Sequence, residues 1–138
     1  MSETLLAFLQ VLVSHDMEMA VGDCKNAFCQ SQRLQRKDGR IYVQPCEGLP
    51  LGRDILIELV SPVYGLNDAP LLWHRTLTQY LREQGFKRSP MDPCLYLRHR
   101  GGLLDAIILI EVDYLLVASR PGGLEDLGNS FKSRFNFW

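Results

Sequence analysis

The sequence lacks the marks of a zinc-finger, secreted or membrane-spanning protein. Its four cysteines, Cys24, Cys29, Cys46 and Cys94, form no C-x-x-C pair, and no histidine stands at zinc-ligand spacing from them. That pattern points to buried or free thiols in a reducing compartment. The nearest approach to a spanning segment, Leu5 to Val13, is interrupted by Gln10 and is far shorter than the roughly 20 residues a bilayer requires. No Lys or Arg precedes Lys25, so the basic start of a signal peptide is missing. The expectation is an intracellular protein, cytoplasmic or nuclear, neither secreted nor membrane-bound. Internal repeats and low-complexity tracts are also lacking. So is any excess of positive charge: the net charge is −1. A module that only coats nucleic acid is usually basic, because phosphate neutralisation supplies most non-specific affinity. A metal-using nucleotide enzyme also carries carboxylates, so near-neutrality does not exclude one.

What is present suffices for one domain. The chain has 138 residues, 46% apolar and 22% charged, enough for a real core. Thr4 to Val13 reads as a buried helix capped by Ser2 or Thr4. Met17 to Asp23 reads as a short strand ending in an acid, and Asn26 to Gln32 as a helical turn. Lys37 to Arg40 is a turn into a strand at Ile41 to Val43, and Ile55 to Val60 is another strand. Ala69 to Gln84 is the clearest helix, with Trp73, Leu77, Tyr80, Leu81 and Gln84 on one face and Gly85 as its stop. Cys94 to Leu97 is a strand before the Gly101-Gly102 turn. Ala106 to Ile110 and Leu115 to Ala118 form a hairpin, and Leu124 to Phe135 is a last helix. The mixture without strict alternation predicts an α+β fold: an antiparallel sheet with helices on one face. Cations gather at Arg33, Arg36, Lys37 and Arg40, and again at Lys87, Arg88, Arg98, His99 and Arg100. Each group taken alone reads as a solvated loop.

Two acids stand among hydrophobic strand residues. Asp23 closes one strand, and Asp113 separates the two apolar runs of the hairpin. A carboxylate so placed costs free energy unless it is paired, hydrogen-bonded or bound to a cation. Taken alone, Asp113 reads equally as a turn aspartate capping backbone N–H groups.

The text around these acids resembles that of copia-type retrotransposon reverse transcriptases. Asp23-Cys24-Lys25-Asn26-Ala27-Phe28 is similar to the first polymerase motif of that family, commonly Asp-Val-Lys-Asn-Ala-Phe. Ile41-Tyr42-Val43-Gln44-Pro45 with Gly48 looks like its "IYM-x-QP-x-G" segment. Val63 to Pro70, followed by Trp73, resembles "YGLKQAP-x-x-W". Gly85-Phe86 and Ser89 to Tyr96 match "GF…S-x-x-DPCLY", and Glu111 to Ala118 resembles the "YVDDLLIA" core. Five segments in the right order make the resemblance specific across nearly the whole chain.

The resemblance implies a polymerase palm with part of the fingers, residues 1–138 forming a single partial domain of a right-hand polymerase. It implies an RNA-directed DNA polymerase that extends a primer on an RNA or DNA template from dNTPs. It also implies two divalent ions, Mg²⁺ or Mn²⁺, clamping the attacking and leaving oxygens. By resemblance Asp23 and Asp113 are catalytic metal ligands, helped by the backbone carbonyl of Cys24. Phe28 matches the aromatic gate against the sugar 2′ position, and Tyr64 and Gly65 align with the motif that lines the nucleotide pocket. Without the family, Phe28 reads as core, and Trp73 and Tyr80 read as core-facing helix residues. As partners the resemblance implies the rest of a retroelement polyprotein, with integrase and RNase H.

Two positions depart from the pattern. Glu111 replaces the usual tyrosine, and Tyr114 replaces the second aspartate. A phenol, with a reference pKa of about 10, is neutral at pH 7 and a poor Mg²⁺ ligand, so Tyr114 marks a degenerate catalytic position. Strand periodicity places Glu111 on the face of Asp113 and makes it the candidate compensating acid. The family's upstream fingers, thumb and RNase H are expected to lie outside these residues. The fragment alone is therefore expected to be inactive, even with Tyr114→Asp. The competing readings are a non-catalytic nucleic-acid-binding or scaffold module on a palm fold, and a translated pseudogene fragment.

Overall fold

A computed structural model describes residues 2–137. Helix α1 (Glu3–Ser14) opens the chain, and the Ser2 hydroxyl accepts the Leu5 N–H at 3.2 Å as its cap. Strand β1 (Glu18–Asp23) follows, then a 3-10 turn at Ala27–Gln30. Strands β2 (Ile41–Val43) and β3 (Ile57–Leu59) form a separate antiparallel ribbon. Helix α2 (Ala69–Glu83) leads to β4 (Lys87–Arg88), β5 (Leu95–Arg100), β6 (Leu103–Glu111), β7 (Tyr114–Ser119) and helix α3 (Gly123–Arg134). The main sheet has the order β1-β7-β6-β5-β4, antiparallel throughout.

Helix α2 stops for a readable reason. Gly85 has φ +84°, the Phe86 N–H bonds the Leu81 carbonyl at 2.9 Å, and the Gly85 N–H bonds the Arg82 carbonyl at 3.0 Å. These two bonds satisfy carbonyls that a helix end leaves open, the Schellman arrangement that favours glycine. Of the predicted stripe, Trp73, Leu77, Tyr80 and Leu81 lie in the core with Phe131 and Phe135, while Gln84 is the half-buried cap that follows the helix.

The α+β class and the antiparallel sheet hold, but the helices do not share one face. Strand β6 is apolar without a break from Ala106 to Ile110, and neighbouring residues of a strand point to opposite faces. Ala106, Ile108 and Ile110 pack with α2 and α3, while Ile107 and Leu109 pack with Phe8 of α1. A sheet apolar on both sides needs cover on both sides.

Helix α1 is also less buried than its sequence suggests. Phe8 is its one fully covered residue, Leu5, Leu9 and Leu12 pack around it, and Leu6 and Val13 face solvent. The second cationic group likewise corrects the sequence reading. Lys87 and Arg88 form β4, and Arg98 in β5 is only 7% exposed. Asp105 pairs with Arg98 at 2.6 Å, and the guanidinium lies 4.8 Å from the Phe86 ring. Among the described residues no helix is long and apolar enough to cross a membrane.

Candidate active site

The site lies where three neighbouring strands meet one tight turn. Asp23, the last residue of β1, is paired with Tyr114, the first of β7, and Tyr114 is paired with Glu111, the last of β6. Residues directly opposed in a ladder point to the same face. Asp23, Tyr114 and Glu111 therefore form one row on the α1 side of the sheet. With strands about 4.8 Å apart, Glu111 is about 10 Å from Asp23 along that row. Tyr114, 55% exposed, stands between them.

The turn itself is Val112-Asp113. Val112 has φ +58°, and positive φ at the first position alone is the pattern of a type II′ hairpin turn, where glycine is usual. The Asp113 carbonyl accepts the Cys24 N–H at 3.1 Å, so the acid-bearing turn is tied to the residue after Asp23. The structure thus brings Asp23 and Asp113 together. Because Asp113 lies in the turn and not in a strand, the two-residue periodicity that linked Glu111 to it does not apply. Glu111 instead lies near Cys94, whose thiol is pushed up by burial first, then by Asp92 and Glu111.

Cys24 points into the core and is 1% exposed. Its thiol is pushed up to about 12, by burial first and then by Asp23 and Asp113, so it is neither thiolate nor side-chain ligand at neutral pH. This gives a direct check of the packing. A disulfide-exchange reagent at pH 8 should modify the exposed Cys29 and Cys46 quickly and reach Cys24 only on unfolding. Labelling of Cys24 on the fast timescale would show that the site opens to solvent.

The nucleotide-pocket candidates meet at the same place. The Leu66 N–H bonds the Val63 carbonyl at 3.3 Å, and Gly65 carries φ +98°. A positive φ at the third position of such a turn is the type II pattern, which calls for glycine. The turn presents Tyr64, 59% exposed, with its ring 4.5 Å from that of Phe28. Phe28 itself belongs to the core. The Tyr64 phenol is pushed above its ordinary value by partial burial first, then by Asp113, Cys29 and Asp23.

Sequence reasoning missed two supports. The Trp73 indole N–H donates to the Val112 carbonyl at 2.8 Å, so this core residue also grips the turn. Gln30 donates to the Lys25 carbonyl at 2.6 Å and accepts the Asn136 N–H at 2.7 Å, bracing the segment after Asp23. The glutamine carries no sequence signal for this, because its partner lies more than a hundred residues away in the chain. Among the described residues, no group of three or more His, Cys, Asp or Glu side chains is placed to hold a metal ion.

A family model described as "Reverse transcriptase (RNA-dependent DNA polymerase)" matches residues 4–138. The chain belongs to that reverse transcriptase family. Its relatives place this reverse transcriptase domain among the copia-type elements. It is similar to the retrovirus-related Pol polyprotein from transposon TNT 1-94 of Nicotiana tabacum, 26% identical over 93% of this chain and 10% of that protein. The Pol polyprotein from transposon RE1 of Arabidopsis thaliana is 26% identical over 98% of this chain and 9% of its own length. A transposon Ty5-1 protein of Saccharomyces cerevisiae is 37% identical over 59% of this chain and 27% of that protein. The domain thus spans about a tenth of the Pol polyproteins it matches.

Proposed function

We propose that this domain is the palm, with part of the fingers, of a copia-type RNA-directed DNA polymerase whose metal centre has been reduced to Asp23 and Asp113. One observation carries the reading: Tyr114 is the direct ladder partner of Asp23, at the position where the family motif supplies a second aspartate. Nucleotidyl transfer to a primer 3′-hydroxyl uses two divalent ions to clamp the attacking and leaving oxygens. Mg²⁺ and Mn²⁺ take carboxylate and phosphate oxygens in octahedral geometry. Asp23 and Asp113 supply too few oxygens for two such ions, and the phenol of Tyr114 does not replace a carboxylate. The donor set does not fit a two-ion centre, so no chemical step is assigned to it.

In this reading the inherited substrates are a dNTP and a primer on an RNA or DNA template. Phe28 backs Tyr64, and the pair forms an aromatic wall beside the two acids. In this reading the domain works within a longer polyprotein that carries integrase and RNase H. A second reading, a non-catalytic nucleic-acid-binding or scaffold module, draws on the exposed rings of Tyr64 and Tyr114, since bases stack on aromatic faces without needing metal.

A Mn²⁺ titration of the native and Asp113→Asn proteins tests the site. Weak binding is expected in the native protein and binding at least ~5-fold weaker in the variant, because removing one of two charged ligands removes much of the attraction. Equal affinities would mean that the pair is no ligand set. Primer extension by the native protein in Mg²⁺ would overturn the degenerate reading itself.

A further inference from the structure

We propose that Trp73 is a positioning residue for the acid-bearing turn, holding Val112-Asp113 in a strained conformation that places Asp113 beside Asp23. Val112 is β-branched, 61% exposed, and held at φ +58° in a loop of two residues. Such a residue rarely adopts that conformation by itself, and it persists only where the surroundings over-determine it. The surroundings here are two hydrogen bonds to consecutive carbonyls. The Trp73 indole, 1% exposed in the middle of α2's buried stripe, bonds the Val112 carbonyl at 2.8 Å. The Cys24 amide bonds the Asp113 carbonyl at 3.1 Å. The turn is thus gripped from α2 on one side and from the end of β1 on the other.

The indole can do this because its ring is fixed independently of the turn. It packs edge-on against Phe135, with ring centroids 5.4 Å apart and planes at 78°. A fixed ring gives its single N–H a fixed direction. With that donor removed, the Val112 carbonyl loses its partner and the strain at φ +58° is released by rotation of the turn. Asp113 then leaves its register beside Cys24.

Amide hydrogen exchange followed by NMR tests this, in the absence of metal. Trp73→Phe keeps most of the ring and removes the donor. It should speed exchange of the Cys24 amide at least tenfold and leave the amides of the β5–β6 pair unchanged. Adding Val112→Gly should restore most of the lost protection, because glycine adopts positive φ without strain. Acceleration spread evenly over the sheet would show that Trp73 only fills the core, and would overturn the proposal. Failure of Val112→Gly to restore protection would overturn it too. If Trp73→Phe does not fold, the native protein still decides. Its Trp73 indole N–H should exchange no faster than the Cys24 amide, and fast exchange refutes the grip. The inference rests on the metal-site reading for its functional meaning only. Exchange reports on the turn whether or not Asp23 and Asp113 bind Mn²⁺, so the two failures are distinguishable.

Discussion

Tyr114→Asp is expected to raise the affinity of the domain for Mn²⁺ by ~10-fold or more, since affinity at such sites follows the number of charged oxygen ligands. The register is what makes the new carboxylate effective. Residue 114 is directly opposite Asp23 on the same face and next to Asp113 in the chain, so three carboxylates would converge from two strands and a turn. In the absence of metal the added charge repels the other two and favours protonation of one of them. Metal binding then displaces that proton, so the gain should be larger at pH 8 than at pH 6. Tyr114→Phe is the control. A phenol that is not a ligand can be lost without effect, and affinity should stay at the native value. Loss of Mn²⁺ binding in Tyr114→Phe would show that the phenol oxygen does coordinate. An unchanged affinity in Tyr114→Asp would show that the turn does not aim residue 114 at a shared ion.

The elements most legible in the sequence are those whose determinants lie close together in the chain. Helix α2 announces itself through the Trp73, Leu77, Tyr80 and Leu81 stripe and the Gly85 stop, and it runs from Ala69 as expected to Glu83, one residue short of the expected end. The hairpin of β6 and β7 follows from two apolar runs around Val112-Asp113. The approach of Asp23 to Asp113 was legible only through the family resemblance, because nothing local pairs β1 with β7. Three features depended on long-range geometry and left no local mark. The cover of β6 on both faces requires knowing where α1 packs. The grip of Trp73 on Val112 requires the position of the turn over α2. Burial of Arg98 requires knowing that its strand face is covered and that a register shift brings Asp105 beside it, and a run of cations in sequence looks the same whether it is solvated or enclosed.

That buried cation has the largest expected effect on stability. The β5–β6 register shifts between Arg98 and His99, so that Arg98 faces Ala106 and His99 faces Leu104. Asp105 is the extra residue on β6, and bulges of this kind re-aim side chains. Asp105 takes both Nε and Nη2 of Arg98, at 2.7 and 2.6 Å, with Arg100 farther off at 3.5 Å. The side chain of Arg98 is 8% exposed and that of Asp105 is 21% exposed. Replacing Asp105 with alanine therefore strands a guanidinium that burial keeps from full hydration. Breaking a buried pair from one side costs about 3–5 kcal/mol, and the partial exposure of Asp105 sets the expectation at the lower end. For a chain of this length about 3 kcal/mol corresponds to a fall in Tm of roughly 10 °C. Asp105→Asn keeps an acceptor and should lose less. Pairing Asp105→Ala with Arg98→Met should recover most of the loss, because an apolar side chain of similar length packs on Phe86 with no charge to strand. Urea unfolding of the three variants reads all of this. A loss below ~1 kcal/mol in Asp105→Ala, the range of exposed pairs, would mean that Arg98 swings out to solvent beside Arg100. In that case the ion pair would not be what holds the register of β5 against the strand that carries the acid-bearing turn.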